Sequence, residues 1–466
     1  MIVYLINMPA NTSDERRRQS LGMAYLASDL LNNDIEVNII DGCGIHRDIT
    51  YNEVMEDIIL SQPPFIGFYV IEFNIATTLK LIHDLKRKYS FISFLGGPQA
   101  SILGKEIISN NPDVDLITCG EMDGKLPLIL KGNYAISGLI YRNDMGQIIV
   151  NDTISKSIDL DTLPYPVRDL NGKTLLTKNI LNGIERYVVP VSSSRGCPFR
   201  CAFCSIPALN KQHNIRWRFR SADNIVNEIR EVHNKYNNIE VVFVDDNFLV
   251  NIERALIIAK TLYRLGQFPF SFTARVDEIL RADESVLIEL SKCGLHTIEV
   301  GIENFNDNVL RRYNKGHTSE EAVLAIRRLQ NCQIHPNIDF IMFDPWTTLS
   351  ELEKNLYIME SEKLDTYLGD IIFDRIYPYP GIAMYDQINM KQYFENSDTG
   401  KIYDKMQMFK GKYRNKIWGG IVETEKIINK IALIKAPYKF LHELIKNPDL
   451  SFSESVTIKM LTNVMK

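Results

Sequence analysis

The sequence predicts an α/β chain. A doubly wound parallel sheet of the Rossmann or flavodoxin-like kind comes first, then a partial (β/α)6 barrel of the TIM type, then a helical C-terminal extension. Three observations carry this. Short runs rich in Ile, Val and Phe alternate with helical periods through the first 131 residues, as buried parallel strands and crossover helices do. The alternation stops between residues 132 and 186 and then resumes. The length, 466 residues, suits two or three domains better than one.

Within residues 1–131, IVYLIN (2–7), EVNII (36–40), FIGFYV (65–70), FISFLGG (91–97) and DLITCGE (115–121) read as strands. Each is short, apolar and closed by polar or glycine turns. LGMAYLASDLL, YNEVMEDIIL, ATTLKLIHDLKRKY and GKEIIS lie between them with helical spacing. Five βα units in succession predict an open sheet with helices on both faces. Such sheets take ligands beyond the carboxyl ends of their strands. The loops there carry Gly96, Gly97 and Gln99, then Gly120 and Glu121. On local pattern alone these glycines do no more than close tight turns.

Residues 132–186 read as a connector. GLIYRNDMGQIIVND is two alternating runs about an Asn-Asp-Met-Gly turn, a hairpin. LDTLPYPVRDL, with two prolines and no helical period, is a linker. The barrel is expected over residues 187–383, with strands YVVPVSSS (187–194), VVFVDD (241–246), FSFTARV (270–276), TIEVGIE (297–303), NIDFIMFD (337–344) and GDIIFDRIYPYP (369–380). SADNIVNEIREVHNKY, NIERALIIAKTLYRL and SEEAVLAIRRLQ supply helices between them. A full eight-unit barrel takes about 250 residues, so this one is partial, and barrel chemistry gathers at the carboxyl ends of strands. Residues 384–466 are lysine-rich with helical periods, as in EKIINKIALI and YKFLHELIK. They read as a packed appendage with a solvated face.

The chain is 45% hydrophobic and carries a net charge of −5. That balance leaves no electrostatic footprint for nucleic acid. MIVYLINMPA has no basic segment ahead of a long apolar run, so no secretory signal is read there. No stretch of about 18 apolar residues predicts a membrane span. The expectation is a cytoplasmic protein without a membrane partner, in which clustered cysteines bind metal or do chemistry.

SSSRGCPFRCAFC (192–204) places Cys197, Cys201 and Cys204, three of seven cysteines, just after the first barrel strand. Three readings fit the C-x3-C-x2-C spacing. On a helix these positions share a face and make a thiol-lined core stripe, although Gly196 and Pro198 disfavour a helix at its start. Structural zinc takes a closed set of four ligands; the next candidate is His213, and no second cysteine pair follows. Three thiolates without an obvious fourth suit a [4Fe–4S] cluster with one iron left open. Cys293 and Cys332 stand alone near the ends of helical patterns and read as buried.

With Phe203 ahead of the last cysteine, C-x3-C-x-F-C resembles the signature of radical S-adenosylmethionine (SAM) enzymes. WRFRSADNIVNEI, VVFVDDNFLVN, FTARVDEI, VGIENFNDNVLRRYNKG and PYPGIAMYD resemble segments of the branch of that superfamily that carries a cobalamin-binding domain, home of the class B methyltransferases. PANTSDERRRQSLGMAYLASDL, LGGPQAS and CGEMDG are similar to the βα turns of its cobalamin module, and the hairpin with LPYPVRDL to its connector. The resemblance covers roughly residues 1–385. There is no D-x-H-x-x-G; DGCGIH (41–46) does not match it, so no axial histidine is implied from that motif.

The resemblance implies a [4Fe–4S] cluster on Cys197, Cys201 and Cys204, SAM chelated to the open iron, and cobalamin. It implies one-electron cleavage of SAM to methionine and a 5′-deoxyadenosyl radical, which takes a hydrogen from the substrate. Asp245, Asp246, Arg275 and Glu303 follow or end successive barrel strands, where such enzymes contact SAM; an arginine suits its carboxylate. Gly96, Gly97, Gln99, Gly120 and Glu121 stand where the module would hold cobalamin. Each has a plain alternative, since a buried acid or arginine at a strand end is often only paired structurally. The implied partners are a small-molecule or peptide substrate and an electron donor such as flavodoxin or ferredoxin. Methyl transfer to an unactivated carbon is the favoured outcome. The alternatives are a radical rearrangement, epimerisation or cyclisation without methyl transfer, or a non-catalytic Fe–S carrier or sensor. Relatives carry glycine in an F-I-x-G-x-P-G-E-T turn. Here F-I-M-F-D-P-W-T-T places Phe343 there, so that side of the pocket is expected to differ.

Overall fold

The structure, a computed structural model, describes residues 1–9, 19–46, 48–152, 158–211, 216–364, 372–388, 398–416, 438 and 440–450. It divides into two compact units, one of residues 1–199 and 205–272, the other of 200–204 and 273–466. The division runs through a barrel strand and not at residue 131 or 186.

The first unit opens with β1 (Ile2–Asn7), α1 (Leu21–Leu31), β2 (Glu36–Asp41), α2 (Tyr51–Ser61), β3 (Phe65–Tyr69), α3 (Ile75–Lys86), β4 (Ile92–Gly96), α4 (Pro98–Asn110) and β5 (Leu116–Thr118). After α5 (Leu126–Leu130) comes the expected hairpin, β6 (Leu139–Arg142) and β7 (Ile148–Val150). It joins the edge antiparallel to β5, giving seven strands in the order β2-β1-β3-β4-β5-β6-β7. Successive side chains go to opposite faces. Ile6, Phe68 and Leu95 pack under α2, α3 and α4; Leu5 and Phe94 pack with Met23 and Leu126 on the other face. Burial on both faces is why these strands read as unbroken apolar runs. The strand order reverses between β1 and β3, the place where such sheets open a ligand crevice.

The connector contributes a two-residue ribbon, β8 (Asp169–Leu170) with β9 (Lys173–Thr174). It also delivers Arg168 to a buried triad: Arg168 Nη2 lies 2.6 Å from Glu228 Oε1, and Arg220 Nη1 lies 2.5 Å from Glu228 Oε2. Next come β10 (Thr177–Leu181), β11 (Ile184–Val191) and β12 (Ser194–Gly196). β10 and β11 form a hairpin through Asn182 and Gly183, both at positive φ, the turn that matches strand twist. Then follow α6 (Ile206–Asn210), β13 (Trp217–Phe219), α7 (Ala222–Lys235), β14 (Ile239–Phe243), α8 (Ile252–Gly266) and β15 (Phe270–Arg275). β12 and β13 pair with each other, while β14 lies parallel to both β11 and β15.

The second unit holds α9 (Val276–Arg281), α10 (Glu284–Lys292), β16 (Leu295–Glu303), α11 (Asp307–Arg312), α12 (Ser319–Asn331), β17 (His335–Phe340) and α13 (Leu349–Ser361). The barrel strands run β10-β11-β14-β15-β16-β17. Of the sixth expected strand, residues 369–371 lie outside the described residues, and one parallel bridge, Phe343 to Arg375, marks the rest.

Phe343 is fully buried, its ring edge-on to Tyr403 at 5.3 Å. Tyr403 belongs to a helix at residues 398–416. Around it Gln407 Nε2 donates to the Phe373 carbonyl (2.8 Å), and Lys410 pairs with Asp374 (3.2 Å). The bulky residue in the glycine's place thus anchors the extension. EKIINKIALI lies outside the described residues; Tyr438, Phe440, Leu441 and Leu444 of YKFLHELIK are buried. Among the described residues no helix is long and apolar enough to cross a membrane.

Candidate functional site

The run into the first cysteine is clamped. Asp245, buried at the end of β14, accepts from the Ser193 amide (2.7 Å), the Ser193 hydroxyl and the Ser194 hydroxyl (2.7 Å). Gly196 donates its N–H to Asp246 at 3.1 Å. Gly196 sits at φ 83°, and a Cβ there would stand 2.3 Å from the Arg216 carbonyl, so only glycine passes. Asp245 and Asp246, expected against SAM, are therefore engaged in holding the Ser-Ser-Ser-Arg-Gly segment.

Residues 200–204 belong to the second unit. Ala202 donates its N–H to the Tyr313 carbonyl (2.8 Å) and accepts from Met384 (3.3 Å); Asn314 Nδ2 donates to the Arg200 carbonyl (2.8 Å). The Phe203 ring lies 5.4 Å from that of Tyr313. Tyr313 donates to Asp344 at 2.9 Å, beside the Arg312 guanidinium at 2.8 Å. Burial, and then the Asp344 carboxylate, hold the Tyr313 phenol protonated, well above its usual range. The aromatic of the cysteine motif, the Arg-Arg-Tyr-Asn run and the Pro-Tyr-Pro-Gly run thus meet in one scaffold.

The carboxyl ends of β15 and β16 bring charges to that scaffold. Arg275 donates from Nη1 to the Cys201 sulfur (3.2 Å), from Nε to Asp277 (2.8 Å) and from Nη2 to the Lys315 carbonyl. Glu303 follows a register shift at Gly301 and stands at φ 67°. A non-glycine residue there costs roughly 1–3 kcal/mol. Its Oε1 accepts from Lys315 Nζ at 3.1 Å, and both residues are buried. A Cβ on Gly301 would lie 2.9 Å from each of these two charged atoms. Burial, then the Lys315 and Arg275 cations, push His317 down to about 3, so it stays neutral. A thiol, a guanidinium, a carboxylate and an ammonium near Gly301 have the charges to match the amino-acid end of SAM. No three His, Cys, Asp or Glu side chains among the described residues converge on a single-ion site. A four-iron cluster is wider than one ion, so its thiolates stand further apart than a mononuclear cage would place them.

In the first unit a cavity of about 330 Å³ opens at the carboxyl ends of β3, β4 and β5. Tyr25, Tyr69, Phe94, Met122, Gly96 and Gly97 are among its walls, which are mainly apolar. Gly97 also has a structural reason: at φ 100° a Cβ would meet the Val70 carbonyl at 2.9 Å. Gly120 lines the cavity at φ 76°. Gln99 instead donates to Glu72 at 3.0 Å. Glu121 lies between Arg195 (3.4 Å) and Arg218. Arg195 grips Asp123 with both terminal nitrogens (2.8 and 3.1 Å) and lies 5.2 Å from the Tyr25 ring centroid. His46 of DGCGIH accepts the Asp41 amide proton at Nδ1 (3.0 Å), closing its own turn; among the described residues no histidine lines the cavity.

Sequence reading missed Tyr25, Asp123, Arg195, Arg218 and Lys315. For all but Lys315 the partners lie far along the chain; Asp123 and Arg195 are 72 residues apart. The one local signal was the position of Arg195 directly before Gly196 and Cys197.

Residues 191–356 match the Radical SAM superfamily. An uncharacterized methyltransferase of Pyrococcus horikoshii is 27% identical over 377 residues, 78% of this chain and 77% of that protein. The 4'-phospho-dehydrooxetanocin synthase of Priestia megaterium is 24% identical over 445 residues; this chain matches with 86% of its own length but spans 55% of the synthase. Among solved structures, the cobalamin-dependent S-adenosylmethionine radical enzyme OxsB, with aqua-cobalamin and S-adenosylmethionine bound, superposes with a TM-score of 0.72 at 19% identity, over 100% of this chain and 78% of that one. At that identity the likeness shows the fold.

Proposed function

We propose that this chain, a radical SAM enzyme by its domain at residues 191–356, methylates an unactivated carbon of a small-molecule or peptide substrate, using a [4Fe–4S] cluster, SAM and cobalamin. The observation that carries the reading is the contact of Arg275 with the Cys201 sulfur, beside the buried Glu303–Lys315 pair. When bound, the cluster and SAM supply one-electron cleavage and hydrogen abstraction, and cobalamin carries the methyl group.

The chain's own residues have separate tasks. Cys197, Cys201 and Cys204 hold the cluster. Arg275 donates to one of its sulfurs, and such hydrogen bonds are among the levers on cluster potential. Glu303 and Arg275 orient SAM. Asp245 and Asp246 fix the segment that leads into Cys197. The cavity beside Tyr25 and Tyr69 takes the flat aromatic end of cobalamin, with Glu121 held in its wall by Arg195 and Arg218. The electron comes from a donor such as flavodoxin or ferredoxin.

The methyltransferase relative and the cobalamin and SAM named for OxsB support this reading. A reading without methyl transfer is favoured by one observation: the relative matched over 86% of this chain is named a synthase. The test is the full chain with its cluster reconstituted without oxygen, mixed with reduced cobalamin and SAM bearing a deuterated methyl group. Stoichiometric cobalamin binding, with the label recovered on cobalamin, is expected. A chain with an intact cluster that binds no hydroxocobalamin at micromolar concentration excludes methyl transfer by this route. If 5′-deoxyadenosine forms while cobalamin stays unlabelled, the synthase-like reading takes over.

Gly301→Ala tests the SAM position. The added methyl would lie 2.9 Å from Glu303 Oε1 and Lys315 Nζ. SAM affinity is expected to fall about tenfold or more, a loss of at least 1.4 kcal/mol, with iron content unchanged. Equilibrium dialysis against labelled SAM reads the first and iron analysis the second. Unaltered affinity would place SAM elsewhere.

A further inference from the structure

We propose that the cavity at the carboxyl ends of β3, β4 and β5 selects its corrinoid by the lower base, taking one that carries a benzimidazole and discriminating against one that carries adenine. This rests on cobalamin being held by the first unit, as read above, and goes beyond it to which corrinoid is chosen.

The floor of the cavity follows from the register of the sheet. Leu5, Gly67, Phe94 and Leu116 stand opposite one another on β1, β3, β4 and β5, so they share one face. The row is apolar and has no side chain at Gly67. The Phe94 ring lies over that gap: a Cβ on Gly67 would stand 2.3 Å from it and 3.0 Å from Leu5. Two residues further on, the same face carries Tyr69, Gly96 and Thr118, and the row is again open at a glycine. Leu26 and Leu126 line the cavity from α1 and α5. A space of about 330 Å³ is too small for a whole corrinoid and receives one arm of it.

Most polar side chains of the wall are already engaged. Thr118 gives its hydroxyl proton to the Leu95 carbonyl (3.1 Å), and Ser192 gives its own to the Ser194 carbonyl (3.1 Å). Arg195 holds Asp123, Arg218 holds Glu121, and the Tyr25 hydroxyl accepts from Arg220 (3.2 Å). Adenine brings ring nitrogens that need donors and an amino group that needs an acceptor. Polar atoms buried without partners are costly. Dimethylbenzimidazole has methyl groups on a benzo ring in place of that polar edge, and such a ring gains from apolar burial. Leu5, Leu26, Phe94 and Leu126 therefore suit the benzimidazole and leave the adenine edge unpaired.

The test uses the full chain with its cluster reconstituted. Dissociation constants are measured by equilibrium dialysis for hydroxocobalamin, for its adeninyl analogue hydroxopseudocobalamin, and for diaquacobinamide, which has no base. Wild type is expected to hold hydroxocobalamin about 10- to 100-fold more tightly than the adeninyl analogue, the effect of one or two unpaired polar atoms. Gly67→Ala drives the Phe94 ring off its seat and into the cavity. It is expected to weaken hydroxocobalamin about tenfold, as overpacking does, and to leave diaquacobinamide as in wild type. Leu26→Gln, at a half-buried position of α1, adds a donor and an acceptor to the wall. It is expected to narrow the preference about three- to tenfold, the worth of a hydrogen bond regained. Equal affinity of wild type for the two complete corrinoids, or a preference for adenine, overturns the proposal. So does cobinamide bound as tightly as hydroxocobalamin, which would put the base outside the cavity. A preference that both variants leave unchanged overturns its assignment to these walls. A wild-type chain with a full cluster that binds none of the three overturns the cobalamin reading itself, and this proposal with it.

Discussion

Alanine at Cys197, Cys201 or Cys204 is expected to abolish the broad visible absorbance of the reconstituted chain and its production of 5′-deoxyadenosine. The cluster reading assigns three thiolates to three irons, so loss of one leaves no substitute in the motif. The internal controls are Cys293 and Cys332, which cap the carboxyl ends of α10 and α12 and are each 4% exposed. Burial pushes the Cys332 thiol up, away from the thiolate that a metal requires. Alanine at either control should leave the iron in place. Wild-type iron content in all three motif variants would end the cluster assignment, and iron loss in a control variant would broaden it.

The second large effect concerns stability. Glu228 is 1% exposed and has a guanidinium on each carboxylate oxygen, Arg168 at 2.6 Å and Arg220 at 2.5 Å. Glu228→Ala would leave two buried cations against neutral partners. Arg168 would keep Gln19 and the Pro190 carbonyl; Arg220 would keep Tyr25 and the Ser192 carbonyl. Breaking a buried pair by removing one partner costs about 3–5 kcal/mol. The urea midpoint of the first unfolding transition should drop accordingly. A change below about 1 kcal/mol, the range of exposed pairs, would show that the triad does not hold the connector in place.

Much of the architecture was legible because its physics is local. Strands covered on both faces are apolar nearly throughout, so β1 to β5 and β14 stood out as short runs of Ile, Val and Phe, while β15 to β17 alternate with polar residues. β10 did not. Thr177–Leu181 reads TKNIL, and Ile180 is 70% exposed. An edge strand carries little pattern, though Asn182-Gly183 marked its turn. At the site, the cysteine spacing and the strand-end positions of Arg275 and Glu303 could be read from the chain. The uses of Asp245 and Glu121 could not. A carboxylate beyond a strand reads alike whether it meets a ligand or a serine hydroxyl, and the serines that occupy Asp245 stand 51 and 52 residues away. Lys315 was missed because it lies in the loop after α11, while its partner Glu303 ends β16, 12 residues earlier.

The burial of Phe343 against Tyr403 has a consequence for the order of events during synthesis. The side of the second unit that carries Phe343 and Phe373 is finished by residues made 60 and 36 positions later. Until the helix at 398–416 leaves the ribosome, the Tyr403 and Phe409 rings that pack on them are missing. A nascent chain that already displays all three motif cysteines is therefore an unfinished scaffold. Chains fold as units in the order they are made, so the first unit is complete early and the second waits for its own late residues. If the cluster is held as proposed, iron delivered before that moment would meet Cys201 and Cys204 without the finished packing of the unit to which they belong.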